Sequence, residues 1–91
     1  MATDGIPSHT PRITVYTTPI CHWCVTAKRY LDARGLPYVE IDIASDRKAH
    51  QQMVRMTGQN GVPVIRVGDY AMTGWDKAEF ERLLNHRFQR R

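Results

Sequence analysis

Two cysteines, Cys21 and Cys24, are separated by two residues, just after a β-branched and aromatic run, Ile13-Thr14-Val15-Tyr16. That placement constrains the chain more than any other feature. The run reads as a strand, and Thr17-Thr18-Pro19 ends it. From Cys21 to Arg34 the spacing predicts a helix, with Cys24, Ala27 and Leu31, and the nearby Val25 and Tyr30, as its apolar face. Gly35 is placed like a C-terminal cap. The cysteines therefore fall at a strand-to-helix junction. A bridge between them would close a tiny loop, where loop-closure stabilisation is weakest. They are the chain's two cysteines, so nothing else can be stapled to them. The pair calls for a chemical explanation.

The remaining elements follow from period and punctuation. Tyr38 to Ile43 alternates Val39, Ile41 and Ile43 with Glu40 and Asp42, which is strand periodicity. Ser45 is a candidate N-cap, with Asp46 in the first turn of a helix. That helix carries Ala49, Met53 and Met56 inward and stops at Gly58. Val62 to Val67 is a third strand, and Gly68-Asp69 turns it into Tyr70-Ala71-Met72 as a hairpin. A last helix starts near Asp76, with Phe80, Leu83, Leu84 and Phe88 as its inner stripe. The order is β-α-β-α-β-β-α. Its first βαβ unit demands parallel strands with a right-handed crossover. The expected architecture is an α/β fold, a four-stranded mixed sheet covered by helices.

At 91 residues the chain is one domain, 42% hydrophobic and 24% charged, unlike a disordered or fibrous composition. Residues 1–11, with Asp4, Gly5, Pro7 and Pro11, read as an unstructured tail, and residues 12–91 as the domain. The tail has no apolar stretch, so no secretory signal is expected. No apolar run approaches the ~20 residues a membrane helix needs. A cytoplasmic location follows as the default. The net charge of +4 is partly terminal, in Arg87, Arg90 and Arg91, and reads as a solvated surface without a nucleic-acid partner.

The N-terminus of a helix offers unpaired backbone N–H groups and the positive end of its dipole. A thiolate there is stabilised, and the thiolate is the nucleophile of disulfide exchange. Cys21, nearer the loop, is the expected attacking thiol. Cys24, within the first turn, is the expected resolving thiol. A cytosolic C-x-x-C beside a βαβ pattern reads as a redox motif. Other readings stay open. His9, His22, His50 and His86 lack metal-ligand spacing, so one chain holds no metal site by pattern. A metal or iron–sulfur cluster bridged between two chains through Cys21 is a second reading, and two inert core cysteines a third.

Thr17-Thr18-Pro19-Ile20-Cys21-His22-Trp23-Cys24, then Gly58-Gln59-Asn60-Gly61-Val62-Pro63-Val64-Ile65, then Thr73-Gly74-Trp75-Asp76 resemble, in register, a glutaredoxin of the thioredoxin superfamily over residues 12–85. Short bacterial and archaeal glutaredoxin-like redoxins share the Gly-Val-Pro-Val-Ile segment and a Gly-aromatic-Asp loop. The resemblance implies a thioredoxin fold and a thiol–disulfide oxidoreductase that needs no tightly bound cofactor. It implies that Pro63 is a cis-proline facing the dithiol. It implies that the Val62 backbone pairs with an extended substrate or with glutathione, and that Gly74, Trp75 and Asp76 hold the glutathione γ-glutamyl end. Thr18, His22 and Trp23 complete the implied substrate site.

The departures from the family pattern bear on the electron donor. Typical glutaredoxins carry Lys or Arg where Thr18 stands and often Arg where Asn60 stands. A helical Gln that helps hold the glycine carboxylate corresponds to His50. Charge-assisted bonds to a carboxylate are among the stronger polar contacts, so this clamp is depleted. Glutathione is one expected donor. Thioredoxin reductase is the alternative, as in redoxins that serve ribonucleotide reductase, although their usual dipeptide ends in Gln and His22-Trp23 does not match it. A monomer acting on disulfide-containing proteins or glutathione mixed disulfides is expected. A protonated His22 would favour the thiolate, and an exposed Trp23 would offer a contact for partner proteins.

Overall fold

The computed structural model describes the backbone of residues 12–88 and side chains through Asn85. The expected tail over residues 1–11 and the expected inward Phe88 lie outside the described residues. The elements are β1 (Ile13–Thr17), α1 (His22–Ala33), β2 (Val39–Asp42), α2 (Arg47–Thr57), β3 (Val64–Val67), β4 (Tyr70–Thr73) and α3 (Lys77–Phe88). The sheet order is β2-β1-β3-β4. β1 pairs parallel with β2 and antiparallel with β3, and β4 pairs antiparallel with β3. This is the four-stranded mixed sheet and helix order that the pattern of the chain predicts, a thioredoxin fold.

All five residues of β1 are buried, and the strand has a neighbour on each side. Ile13 and Val15 face a cluster with Ala27 and Leu31 of α1, Ile65 and Val67 of β3, and Phe80 and Leu84 of α3. Tyr16 faces the other way, into a smaller cluster with Ile43, Ala49, Met53 and Val64 beneath α2. Two helices thus cover one face of the sheet and one helix covers the other.

α1 ends as its glycine suggests. Gly35 has φ 66°, and its N–H donates to the Asp32 carbonyl while Leu36 N–H donates to the Leu31 carbonyl. That pair of bonds is a Schellman motif, which needs a left-handed residue.

Five local expectations are corrected. The N-cap of α2 is Asp46, whose Oδ1 accepts from Ala49 N–H at 3.0 Å, and not Ser45. Both residue types cap well, and the carboxylate sits one residue nearer the first turn. β2 is shorter than the alternating run, and Val39 is 51% exposed because α2 does not reach it. Met56 is exposed, on the flank of α2 rather than on its inner stripe. Val25 is exposed beside α1's inward residues. β3 begins at Val64, since Val62 and Pro63 belong to the bend before it.

Candidate functional site: a dithiol at one end of the sheet

The topology gathers four chain segments at one end of the sheet. β1, β2 and β4 leave the sheet there and β3 enters it. Thr17 to Cys21, Val62-Pro63 and Gly74 to Asp76 are therefore neighbours in space, though far apart in sequence. Ile43 N–H donates to the Thr17 carbonyl at 2.9 Å and ties β2 to this end. Gly74 N–H donates to the Pro63 carbonyl at 2.8 Å and ties the segment after β4 to the one before β3. The Val62–Pro63 peptide is cis. Gly74 takes φ 78°, a left-handed conformation that a side chain would strain.

Cys21 and Cys24 are joined as a disulfide. Cys21 is the N-cap of α1, in extended conformation, and its Sγ accepts from Cys24 N–H at 3.2 Å. Cys21 is partly exposed, whereas Cys24 is 1% exposed and packed in the core. The helix starts here because Cys21 supplies the acceptor that a Ser or Asp cap would otherwise supply. No acidic residue stands in the first turn of α1 to oppose a negative sulfur. One sulfur therefore meets solvent, a backbone donor and the positive helix end, all of which favour a thiolate. The other is shielded but within bonding reach.

The flanking residues divide. Ile20, 94% exposed, and Trp23, 57% exposed, stand on either side of Cys21 as an apolar rim. His22 is exposed and meets the Trp23 ring edge-on at 5.4 Å between centroids. Thr18 turns its hydroxyl to the Ile20 carbonyl at 3.3 Å. Asp76 caps α3, with Oδ1 accepting from Glu79 N–H at 3.2 Å. Trp75 packs inward, with its ring 5.4 Å from Tyr30 and 5.4 Å from Phe80. Burial raises the Tyr30 phenol above its usual pKa, and its hydrogen bond to Glu81 acts in the same direction.

Sequence reasoning missed two features of this end. Ile20 was not singled out, although an isoleucine between Pro19 and a cysteine is an available signal. His50 and Asn60 hydrogen-bond each other, Nε2 to Oδ1. Each departs from the family pattern, but nothing in the sequence joins them. Among the described residues no group of three or more His, Cys, Asp or Glu side chains could hold a metal ion.

A partly exposed N-cap cysteine bridged to a buried one, on this fold, defines a thiol–disulfide oxidoreductase. Comparison with known proteins narrows the class. The sequence model of the glutaredoxin family matches residues 13–71. The chain belongs to the glutaredoxin family of the thioredoxin superfamily. A glutaredoxin-like 8.6 kDa protein of the rubredoxin operon in Clostridium pasteurianum is 36% identical over 72 residues, covering 79% of this chain and 96% of that one. A glutaredoxin of Neisseria meningitidis is 36% identical over 64 residues, covering 69% of this chain and 75% of that one. Among solved structures, the glutaredoxin-like NrdH-redoxin of Escherichia coli, described as having a thioredoxin-like activity profile, aligns with TM-score 0.70 and 30% identity. That alignment covers 79% of this chain and 93% of the redoxin. No helix among the described residues is long and apolar enough to cross a membrane.

Proposed function

We propose that the protein reduces disulfides of proteins, or glutathione mixed disulfides, in two steps. The Cys21 thiolate attacks one sulfur of the substrate disulfide and expels the other as a thiolate, which takes up a proton. Cys24 then loses its proton, attacks Cys21 Sγ and releases the second substrate thiol. The product is the Cys21–Cys24 disulfide, and two electrons with two protons restore the dithiol. What carries this reading is the contrast between the two sulfurs. Cys21 is open to solvent and receives the Cys24 N–H, while Cys24 is enclosed. Val62, beside the cis Pro63, offers backbone for an extended substrate segment. Gly74, Trp75 and Asp76 frame the far side, with Asp76 still holding one carboxylate oxygen outside its cap.

Two electron donors fit this chemistry. Family membership supports glutathione, two molecules of which supply the electrons and leave as glutathione disulfide. A specific observation favours a flavoprotein such as thioredoxin reductase. The positions where a cationic clamp for the glycine carboxylate would stand are Thr18, His50 and Asn60, and their side chains bond within the protein. Ribonucleotide reductase is then one candidate acceptor.

Turnover of a disulfide substrate with NADPH tests both, in parallel arms with glutathione plus glutathione reductase and with thioredoxin reductase. Turnover in the first arm assigns glutathione, and turnover in the second alone assigns the reductase. Cys21→Ser abolishes both. Cys24→Ser stalls as a trapped mixed disulfide, visible by mass, and glutathione rescues it only under the first reading. Failure of the native protein in both arms, with Cys21 reduced and accessible, overturns the proposal.

A further inference from the structure

The sheet face beneath α2 is only half covered. Across it, Thr14 pairs with Val39 on one side and with Arg66 on the other, while Tyr16 pairs with Ile41 and Val64. α2 packs on the Tyr16 row through Ala49 and Met53, and it borders the hollow over the Thr14 row with Gln52. A hollow of about 260 Å³ opens on this Thr14 row, and one of about 600 Å³ adjoins it between α2 and Ile41, the two sharing Ile41 and Gln52 in their walls. The larger is flanked by Lys48 and Arg55 of α2, and the smaller by Arg12 and Arg66. Among the described residues, Asp46 is the one carboxylate that lines either, and its Oδ1 caps α2. Of the ion pairs among the described residues, Lys28–Glu40 joins α1 to β2 itself, and Arg34–Glu81 joins the end of α1 to α3.

Four cations thus border an open trough with an apolar floor of Val39 and Ile41. The trough runs beside β2, an edge strand with β1 as its neighbour. It extends from the Arg12 end of the sheet toward the dithiol end, roughly 13 Å along the four residues of β2. We propose that it docks an acidic, extended segment of a partner protein, with acidic side chains against the four cations and intervening apolar ones on the floor. Charge complementarity selects an acidic occupant. The apolar floor and a strand edge that is unpaired among the described residues select a peptide over a nucleic acid, because an extended peptide alternates its side chains and can pair with an edge. Residues 1–11 hold one acidic residue, Asp4, so the chain's own N-terminal segment does not match the charge. This surface is separate from the dithiol and leaves it open, so a partner held here keeps its disulfide free to reach Cys21.

The experiment uses the full-length protein and a fluorescein-labelled, cysteine-free peptide alternating Glu or Asp with Val, followed by fluorescence anisotropy. Ionic strength is kept at about 10 mM, where the Debye length is about 30 Å. The peptide binds, and a Lys-Val peptide does not. Lys48→Glu with Arg55→Glu, both exposed and neither bonded to backbone, weakens binding about tenfold. Arg29→Glu with Arg82→Glu, the same change in net charge on α1 and α3, leaves binding within about twofold. Arg66→Glu weakens it too, read independently because Arg66 Nε also holds the Gly68 carbonyl. Turnover of a small disulfide stays unchanged in the Lys48/Arg55 pair, which shows an intact fold. The proposal is overturned by any of four results: no peptide binding, equal loss in the control pair, equally tight binding of a single-stranded oligonucleotide of the same charge, or binding that emerges only after deletion of residues 1–11.

Discussion

The two faces of the sheet solve the same packing problem to different depths. On one face, α1 and α3 together enclose a cluster that runs from Ile13 to Leu84, extended by Tyr30, Trp75 and Leu83 at its margin. On the other, α2 alone covers Tyr16, Ile43 and Val64, and Val39 remains in solvent. The dithiol belongs to the first face, since α1 carries it and Cys24 is packed there. A sulfur that must meet its partner at one fixed distance needs a helix held from several sides. Trp75 links that face to the segment after β4, which is in turn bonded to Pro63. The second face has room for recognition because it is incompletely closed.

Truncating the best-enclosed side chain on each face tests this contrast. Phe80→Ala removes a ring with no exposure, against which Tyr30 and Trp75 both pack. The expected cost is about 4 kcal/mol, a large part of the stability of a domain this size. Met53→Ala is equally buried but lies under the single helix of the open face. There the helix can settle into the space, so about 2–3 kcal/mol is expected. Denaturant unfolding of the two variants measures the difference. Equal losses would mean that α2 is held as firmly as the paired helices, and the comparison between faces would fail.

The contrast explains which parts of the structure were legible. Element order, the hairpin at Gly68-Asp69 and the Gly35 cap are local matters of period and turn chemistry, and the chain states them directly. The environments of Cys21 and Cys24 followed from helix geometry alone, because an N-cap is outside and a residue three further on is inside. The cis peptide before Pro63 came from family resemblance, since sequence physics puts cis at only about 5–6% of such bonds. What stayed hidden depends on tertiary placement. Val39 and Met56 look like core residues until the position of α2 is known. The choice of Asp46 over Ser45 is a difference of one residue between two good caps. His50 and Asn60 meet only because α2 and the loop before Pro63 fold against each other.

Helix ends give a smaller version of the same test, one on each face. Gly35→Ala forces a side chain into φ 66° at a site where its Cβ meets nothing within 4 Å. The cost is therefore conformational, about 1 kcal/mol. Asp46→Ala removes the bond to Ala49 N–H and costs about 1 kcal/mol as well. In a domain this small, each lowers the melting temperature by about 4–8 °C. Their consequences for amide hydrogen exchange should separate. Asp46→Ala loosens α2 and the open face, leaving the α1 amides protected. Gly35→Ala loosens the last turn of α1 at the far end from Cys21.

The smallest expected effect concerns pH. Tyr30 joins α1 to α3 by donating to Glu81 and accepting from Arg34, and burial followed by the Glu81 hydrogen bond raises its pKa above 10.0. The folded state therefore favours the neutral phenol. Its contribution is fully present below the unfolded value of about 10 and is lost as pH rises through the raised folded value. Tyr30→Phe removes that contribution and should flatten the fall of stability above pH ~10, while leaving the slope near neutrality alone. The Arg34–Glu81 pair is about half exposed on both sides and adds little by itself. Melting temperatures of both proteins across alkaline pH decide the point. Parallel curves would show that the phenol proton does not contribute to joining the two helices, leaving the closed face held by its apolar packing alone.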